Sequence, residues 1–390
     1  MNEAQSQDRV GPSPVHPTPY LRLDPRRIAL LVLLGVHSLV LAQGDGGGET
    51  RSVKDPELVY VGTNDLGYEE YRHTATGLEL IYVPPGQFTM GSNDGYRGER
   101  PPHPVELDAY LIGKFELTVG QYRRFVEATS RKLPPSIDPD EDPTHIHGWY
   151  PRYFHDPRFD QYPMVFITYE DAKAWCTWAG MRLPTEAEWE RAARGTDERR
   201  FPWGNEEPEA TRCNYADRNL RVMFPPRMGP RSGWWDMSQD DGYSFTSPVG
   251  SYPAGRSAVG AYDMAGNVWE WCNDYYYPYY YGSCVEHCRG THDPNPPPQK
   301  HVLQDHWYHP WLFGNCTHLV RNPQGPPQMA THGEDHRSIR GGSWNEHRDY
   351  LRTTMRWRRR GSELWPGKEA MSKESACHLG VRVARSVAPQ

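Results

Sequence analysis

Beyond Gly195 the chain carries no helical period: aromatic residues stand singly or in short runs between glycine, proline, asparagine and aspartate, the residues that set turns. A chain whose second half is written this way packs through short strands and irregular loops, and a mostly helical bundle is excluded. The composition agrees, with 36 glycines and 37 prolines in 390 residues, and with 14 tryptophans and 24 tyrosines against 10 phenylalanines. Most of the large apolar anchors therefore carry an N–H or O–H handle.

Regular structure is signalled earlier. Residues 78–83 alternate and stop at Pro84-Pro85-Gly86, which predicts a strand ended by a turn, so the folded body is expected to begin at about Gly77. Thr118 and Gln121 have capping-box spacing ahead of Val119, Tyr122, Phe125 and Val126, predicting a helix over 118–129. Thr168 with Asp171 repeats the signature before Ala172, Trp175 and Cys176, and Gly180 supplies a left-handed stop. A third start lies at Pro184-Thr185-Glu186-Ala187-Glu188, with acidic residues facing the positive helix end and Gly195 closing the element. Residues 132–162 and 275–338 read as insertions. No repeat of solenoid or propeller spacing occurs, which favours one body over 77–386.

At the N-terminus Arg26-Arg27 precede an apolar run over 28–42 that ends in Val40-Leu41-Ala42, the small-residue pattern of a signal peptidase site. Residues 1–27 read as a lead, 28–42 as a cleaved signal peptide or a retained anchor, and 43–76 as a polar linker. The run is shorter than the roughly 20 residues of a spanning helix, which favours cleavage, whereas the long lead favours an anchor. Either way the main domain is expected outside the cytoplasm: periplasmic, extracellular or membrane-anchored. A net charge of −7 offers nucleic acid and anionic lipid no global attraction, so neither is an expected partner beyond this segment. Seven cysteines in an exported chain predict disulfides, with Cys176, between Trp175 and Trp178, as the odd buried thiol.

Six segments occur in order: Phe88-Thr89-Met90-Gly91-Ser92; Ile112-Gly113-Lys114-Phe115-Glu116-Leu117-Thr118; Arg182-Leu183-Pro184-Thr185-Glu186-Ala187-Glu188-Trp189-Glu190; Gly266-Asn267-Val268-Trp269-Glu270-Trp271; Arg340-Gly341-Gly342-Ser343-Trp344; and Leu379-Gly380-Val381-Arg382. Together they resemble the formylglycine-generating enzyme, or sulfatase-modifying factor, family over roughly 77–385. The resemblance implies an α+β fold related to C-type lectins, low in regular secondary structure and with few, peripheral helices. It also implies structural calcium. The first set of matching positions is Asn214, Tyr215, Asp241 and Tyr243, the tyrosines through their carbonyls; the second is Asp263, Gly266, Val268 and Glu270, with a carboxylate at each end. The family usually has asparagine at the position of Asp263. The plain alternative is that Asp241 and Asp263 cap turns.

The resemblance breaks at the chemistry. The family binds copper(I) through two thiolates just after Gly-Gly-Ser, and here Glu346 and Leu351 occupy those places. Copper is not expected. Ser343, His347, Arg348 and Trp269 do match the serine, histidine, arginine and tryptophan of active members. Glu346 beside His347 forms an acid–base pair if both face one cavity, and otherwise joins a structural Glu-His-Arg cluster. Cys377 is distant in sequence, although the chain end can fold back. Ala193 and Val383 stand where some members have disulfide cysteines. In the second insertion Cys284, Cys288, His306 and His309 are either metal ligands or disulfides with exposed histidines. The run Arg352, Arg356, Arg358, Arg359 and Arg360 around Trp357 is expected to meet carboxylates or acidic glycans, and the tyrosines over 275–281 either form an assembly surface or cover the insertion.

Two main readings remain. One is an exported, non-copper binding, scaffold or assembly module for a protein, peptide, glycan or second copy. The other is a divergent modifying enzyme acting on an exported substrate, with true formylglycine generation a distant third.

Overall fold

The computed structural model describes residues 52–133, 150–223, 234–278, 280–281, 319–326, 335–360 and 377–388. The expected signal or anchor lies outside them, as do Cys284, Cys288, Cys316, His306 and His309. Among the described residues no helix is long and apolar enough to cross a membrane.

Twelve strands are described: β1 (Leu58–Thr63), β2 (Glu69–His73), β3 (Glu79–Val83), β4 (Gly86–Met90), β5 (His103–Leu107), β6 (Tyr110–Gly113), β7 (Trp269–Tyr275), β8 (Val320–Arg321), β9 (His336–Arg340), β10 (Trp357–Arg360), β11 (Leu379–Gly380) and β12 (Ala384–Ser386). They form a five-stranded sheet β1-β2-β3-β6-β12, a four-stranded sheet β10-β9-β7-β11 and a three-stranded sheet β4-β5-β8. The chain end closes on the beginning, because β12 pairs antiparallel with β6, Ala384 opposite Ile112. β11 lies parallel to β7, Leu379 opposite Trp269.

The body begins earlier than Gly77. β1 and β2 occupy part of the stretch read as linker, joined by a turn in which Asn64 Oδ1 accepts from the Leu66 and Tyr68 amides at 3.1 and 3.0 Å. Only one side of this hairpin is covered, so its pattern is too polar to stand out.

The helices α1 (Val119–Thr129), α2 (Tyr150–His155), α3 (Tyr169–Trp178), α4 (Glu186–Arg194) and α5 (Arg218–Met223) complete the described regular structure, with a few 3₁₀ turns. The three capping boxes form as read, at Thr118 with Gln121, Thr168 with Asp171 and Thr185 with Glu188. Gly180 and Gly195 take the left-handed φ of 66° and 68° that end α3 and α4. The resulting α+β fold has few helices, but α4 is not peripheral: all nine of its residues are buried, in contact with β4, β5, β7 and β9.

Enclosing a helix that reads Glu-Ala-Glu-Trp-Glu-Arg-Ala-Ala-Arg requires a partner for every charge. Glu190 pairs with Arg340 of β9, both fully buried, and also accepts from the Gly91 amide at 2.7 Å. Burial alone raises the Glu190 carboxyl, and Arg340, Arg194 and the Gly91 amide together pull it below the usual range. Trp189 Nε1 donates to Glu270 Oε2 at 2.6 Å, and Glu270 pairs with Arg382 at 2.8 Å, again with both side chains fully buried. Glu116 accepts from Asn267 Nδ2 at 2.7 Å and the Val268 amide at 3.3 Å. All six sequence segments that carry the family resemblance are thus wired through this interior.

The insertions are rooted in the core. Tyr153 and Phe154 of α2 are buried, and Phe154 meets the Tyr122 ring at 6.3 Å. Tyr276 and Tyr281 are also buried, with the Arg356 guanidinium over their rings at 5.3 and 4.7 Å, so at these positions the tyrosine run is interior rather than an assembly surface.

Among the described residues no two cysteines are joined to each other: Cys176, Cys213 and Cys272 are buried free thiols, and Cys377 is buried beside His378. They sit inside apolar clusters as small hydrophobic groups, and burial pushes the Cys176 thiol up to about 12. Cys176 is thus a buried thiol, as read from its helix.

Replacing Arg340 with Met removes one of the two arginines on buried Glu190 and leaves it Arg194 at 3.1 Å, so urea unfolding of R340M should show a loss of about 3 kcal/mol. R72M, which breaks the exposed Arg72–Glu79 pair, should cost no more than about 1 kcal/mol.

Candidate functional site

The strands of the four-stranded sheet converge on the segment after Gly341-Gly342. Gly342 has φ 74°, and a Cβ there would lie 2.8 Å from Leu351 Cδ2 and 2.9 Å from the Tyr350 carbonyl, so only glycine lets the following loop fold back this tightly. That loop carries Ser343 to Leu351, and its amides are tied down: Trp344 N reaches the Asn267 carbonyl at 2.9 Å, and the Glu346 carbonyl accepts from Ala216 N at 3.1 Å.

Its side chains do not act as one cluster. Ser343 is fully buried, and its hydroxyl is 2.8 Å from Asn345 Oδ1. Glu346 Oε1 accepts from Trp269 Nε1 at 3.2 Å. His347 turns elsewhere, with Nδ1 3.3 Å from Asp349 Oδ2 and its ring 5.9 Å from Trp234. Arg348 meets Asp236 at 3.2 Å. The neighbours Glu346 and His347 thus take different partners, Trp269 and Asp349, and not each other. Leu351 is fully buried with Phe201, Cys213, Tyr215 and Ala265.

Glu346 is the chemically distinctive group. Burial raises its carboxyl above the ordinary range, against the opposing effects of Trp269 and Arg359. Around it lie residues that the motifs did not indicate. The chain end does fold back, since the Trp269 amide donates to the His378 carbonyl at 2.8 Å. His378 Nδ1 lies 3.4 Å from Asn345 Nδ2 and 4.0 Å from Cys377 Sγ, and His378 Nε2 lies 3.3 Å from Arg359 Nη2. Tyr350 is the hub of an aromatic group, 5.7 Å from Trp234, 6.0 Å from Tyr96, 6.1 Å from Trp357 and 6.4 Å from Trp269. The available sequence signals were the alternation of Trp357 and Arg359 in a strand and the position of His378 just before the last motif. Two arginines of the run meet carboxylates as expected, Arg352 with Glu99 at 2.6 Å and Arg356 with Glu186 at 2.7 Å.

The first calcium set is brought together. The Tyr215 and Tyr243 amides both donate to the Asp241 carboxylate, at 3.0 and 2.9 Å, and buried Asn214 Oδ1 has no protein partner. Burial pushes Asp241 up to about 7. An orphaned buried amide oxygen in the same set as a buried carboxylate fits a hard cation. The second set fits less well. Glu270 is taken up by Arg382 and Trp189, and Asp263 accepts from the Gly250 amide at 2.6 Å, burial pushing it up to about 6. Gly266, at φ 85°, lets the Asn214 backbone approach so closely that any Cβ would collide with its carbonyl, and this contact couples the two sets. Among the described residues no three His, Cys, Asp or Glu side chains are grouped to hold a metal on their own.

The family model described as sulfatase-modifying factor enzyme 1-like domain matches residues 68–387. The formylglycine-generating enzyme of Mycobacterium tuberculosis is 32% identical over 239 residues, 52% of this chain and 76% of that protein. The serine/threonine-protein kinase Pkn1 of Chlamydia trachomatis is 30% identical over 294 residues, 74% of this chain but only 37% of the kinase. Among solved structures, PvdO from Pseudomonas aeruginosa aligns with a TM-score of 0.50 at 23% identity, over 86% of this chain and 100% of that one, a likeness of fold alone.

An acid whose folded-state pKa lies above its unfolded value weakens the fold at neutral pH, and the weakness disappears as pH falls through the folded value. Glu346→Gln should therefore raise the Tm at pH 7, with the gain shrinking on acidification. A gain that is the same at every pH would contradict the burial of a raised carboxyl there.

Proposed function

The chain belongs to the sulfatase-modifying factor enzyme 1-like domain family, and we propose that it is an exported, non-copper member whose half-buried surface at Glu346 and Trp269 binds a ligand. The observation that carries this reading is the fate of the two positions at which the family resemblance places copper thiolates. Glu346 presents a hard oxygen to Trp269, and Leu351 is sealed in an apolar cluster. Copper(I) needs soft donors. The thiol nearest Leu351 in that cluster is Cys213, whose pKa burial and nearby Asp241 and Asp263 push well up, away from the thiolate form. Export rests on Arg26-Arg27 and the apolar run over 28–42.

A raised carboxyl hydrogen-bonded to an indole also favours a second reading, a modifying enzyme in which Glu346 moves a proton on an exported substrate. The two readings share the site and differ only in turnover.

The test of the non-copper reading is direct. Purified protein, loaded with copper(I) and incubated under oxygen with a Cys-x-Pro-x-Arg peptide, should retain no stoichiometric copper and yield no aldehyde. Aldehyde formation would overturn it.

Calcium at Asn214, Tyr215, Asp241 and Tyr243 is part of the proposal; bound there, it would add to the hydrogen bonds that already join the two loops, among them Asn214 Nδ2 to the Phe245 carbonyl at 2.7 Å and the Asp241 amide to Asp217 at 2.7 Å. Saturating calcium at a hundredfold excess over its Kd should then stabilise the chain by about 2.7 kcal/mol relative to chelator. Asp241→Ala should abolish that difference in thermal or urea unfolding; a calcium response that survives in D241A would remove the ion from this set.

A further inference from the structure

We propose that the surface between Arg359 and Glu346 takes an aromatic α-amino acid, its carboxylate on Arg359, its ammonium on Glu346 and its ring against Tyr350 and Trp357. This names the ligand class of the non-copper binding reading and rests on it.

Strand alternation supplies the geometry. Trp357 and Arg359 project from one face of β10, toward Tyr350 and His378, while Arg358 projects from the other and lies 5.8 Å from the Tyr276 ring. Trp357 is 41% exposed and Tyr96 47% exposed, so the aromatic wall around Tyr350 is open to solvent at its rim. Such a wall offers a flat ring a stacking or edge contact.

Arg359 is the exception among its neighbours. Arg352 and Arg356 each have a carboxylate at contact distance. Among the described residues Arg359 has none: its Nη2 faces the imidazole of His378, and its Nε is buried without a partner. The imidazole is no counter-ion, since protonation would only make it a second cation; burial, with Arg359 beside it, pushes His378 down to about 3, so it meets the guanidinium as a neutral ring. A guanidinium stripped of water and lacking a counter-ion is costly, and an incoming carboxylate relieves that cost with charge-assisted bonds.

The opposite charge stands nearby without touching. Among the described residues the Glu346 side chain accepts one hydrogen bond, from Trp269, and its charge and that of Arg359 act on each other although the two side chains form no ion pair. A lone anion such as phosphate would satisfy Arg359 but be repelled by Glu346. A plain amine would satisfy Glu346 and leave Arg359 unpaired. An α-amino acid carries both charges on adjacent carbons and bridges the gap, and the exposed rings select an aromatic side chain.

Calorimetric titration of the full chain with L-tyrosine, tyramine and 3-(4-hydroxyphenyl)propionate separates the contributions. Tyrosine should bind at least tenfold more tightly than either truncated probe. Arg359→Gln should weaken tyrosine at least tenfold and leave tyramine unchanged; Glu346→Gln should weaken tyrosine and tyramine but not the propionate. Arg359→Lys, which keeps the charge, should retain part of the affinity. Tyrosine binding no tighter than its fragments, or unaltered in R359Q, would overturn the inference. A copper-free, aldehyde-negative protein that ignores tyrosine sinks only this inference, whereas copper loading with aldehyde formation sinks the reading beneath it.

Discussion

Two fully buried arginine–glutamate pairs, Glu190 with Arg340 and Glu270 with Arg382, hold together a protein that has little regular structure to do so. Each pair joins segments remote in sequence, and Trp189 links them by donating to Glu270 from the residue beside Glu190. In a loop-rich interior there are few ladders to absorb backbone polar groups, so side chains take that role. Arg340 donates to the Thr354 and Met355 carbonyls, and Arg382 to those of Gly113 and Tyr262. A planar guanidinium with five fixed donors suits this task better than an ammonium. Their desolvation is large and offset only because nearly every donor is met.

The candidate site inherits its rigidity from this arrangement. Glu270 and Arg340 lie opposite each other in the β7–β9 ladder, next to Trp269 and just before Gly341-Gly342. The indole that holds Glu346 and the turn that presents it thus both begin one residue from a locked charge. β11 brings His378 to the same place by pairing with β7, which is how residues more than a hundred positions apart share one surface. The groups of the candidate site, by contrast, are side chains on a loop and on the edge strand β10.

Much of the scaffold was legible in the sequence because its signals are local. A capping box spans four residues, and all three were placed at the right hydroxyl. The β1–β2 hairpin was missed because one covered face gives a weak pattern, and the enclosure of α4 because its charges read as a solvated surface until their partners are known. At the site, Glu346 and Trp269 were legible as a pair of motif positions and do touch. His347 and Arg348 were motif neighbours that turned to Asp349 and Asp236, and the direction of a loop side chain is set by tertiary contacts that spacing does not encode. Arg359, His378 and Tyr350 reach the site through strand pairing and chain return, which only the fold reveals. Cysteine number reports a compartment, whereas the places of Cys176, Cys213, Cys272 and Cys377 are set by packing, and Cys284, Cys288 and Cys316 lie outside the described residues.

Fold and chemistry are separable in this chain for a structural reason. The interior that defines the family runs through Gly91, Glu116, Trp189, Glu190, Asn267, Glu270, Arg340 and Arg382. None of its bonds passes through the side chain at 346 or 351. Glu346 hangs from the network by one hydrogen bond on Trp269, and Leu351 fills an apolar cluster that asks only for volume. A thiolate pair at those positions could therefore be lost, or never present, without loosening the scaffold. That is why a strong match in sequence and fold coexists with a site built around a carboxylate, an unpaired guanidinium and an aromatic wall.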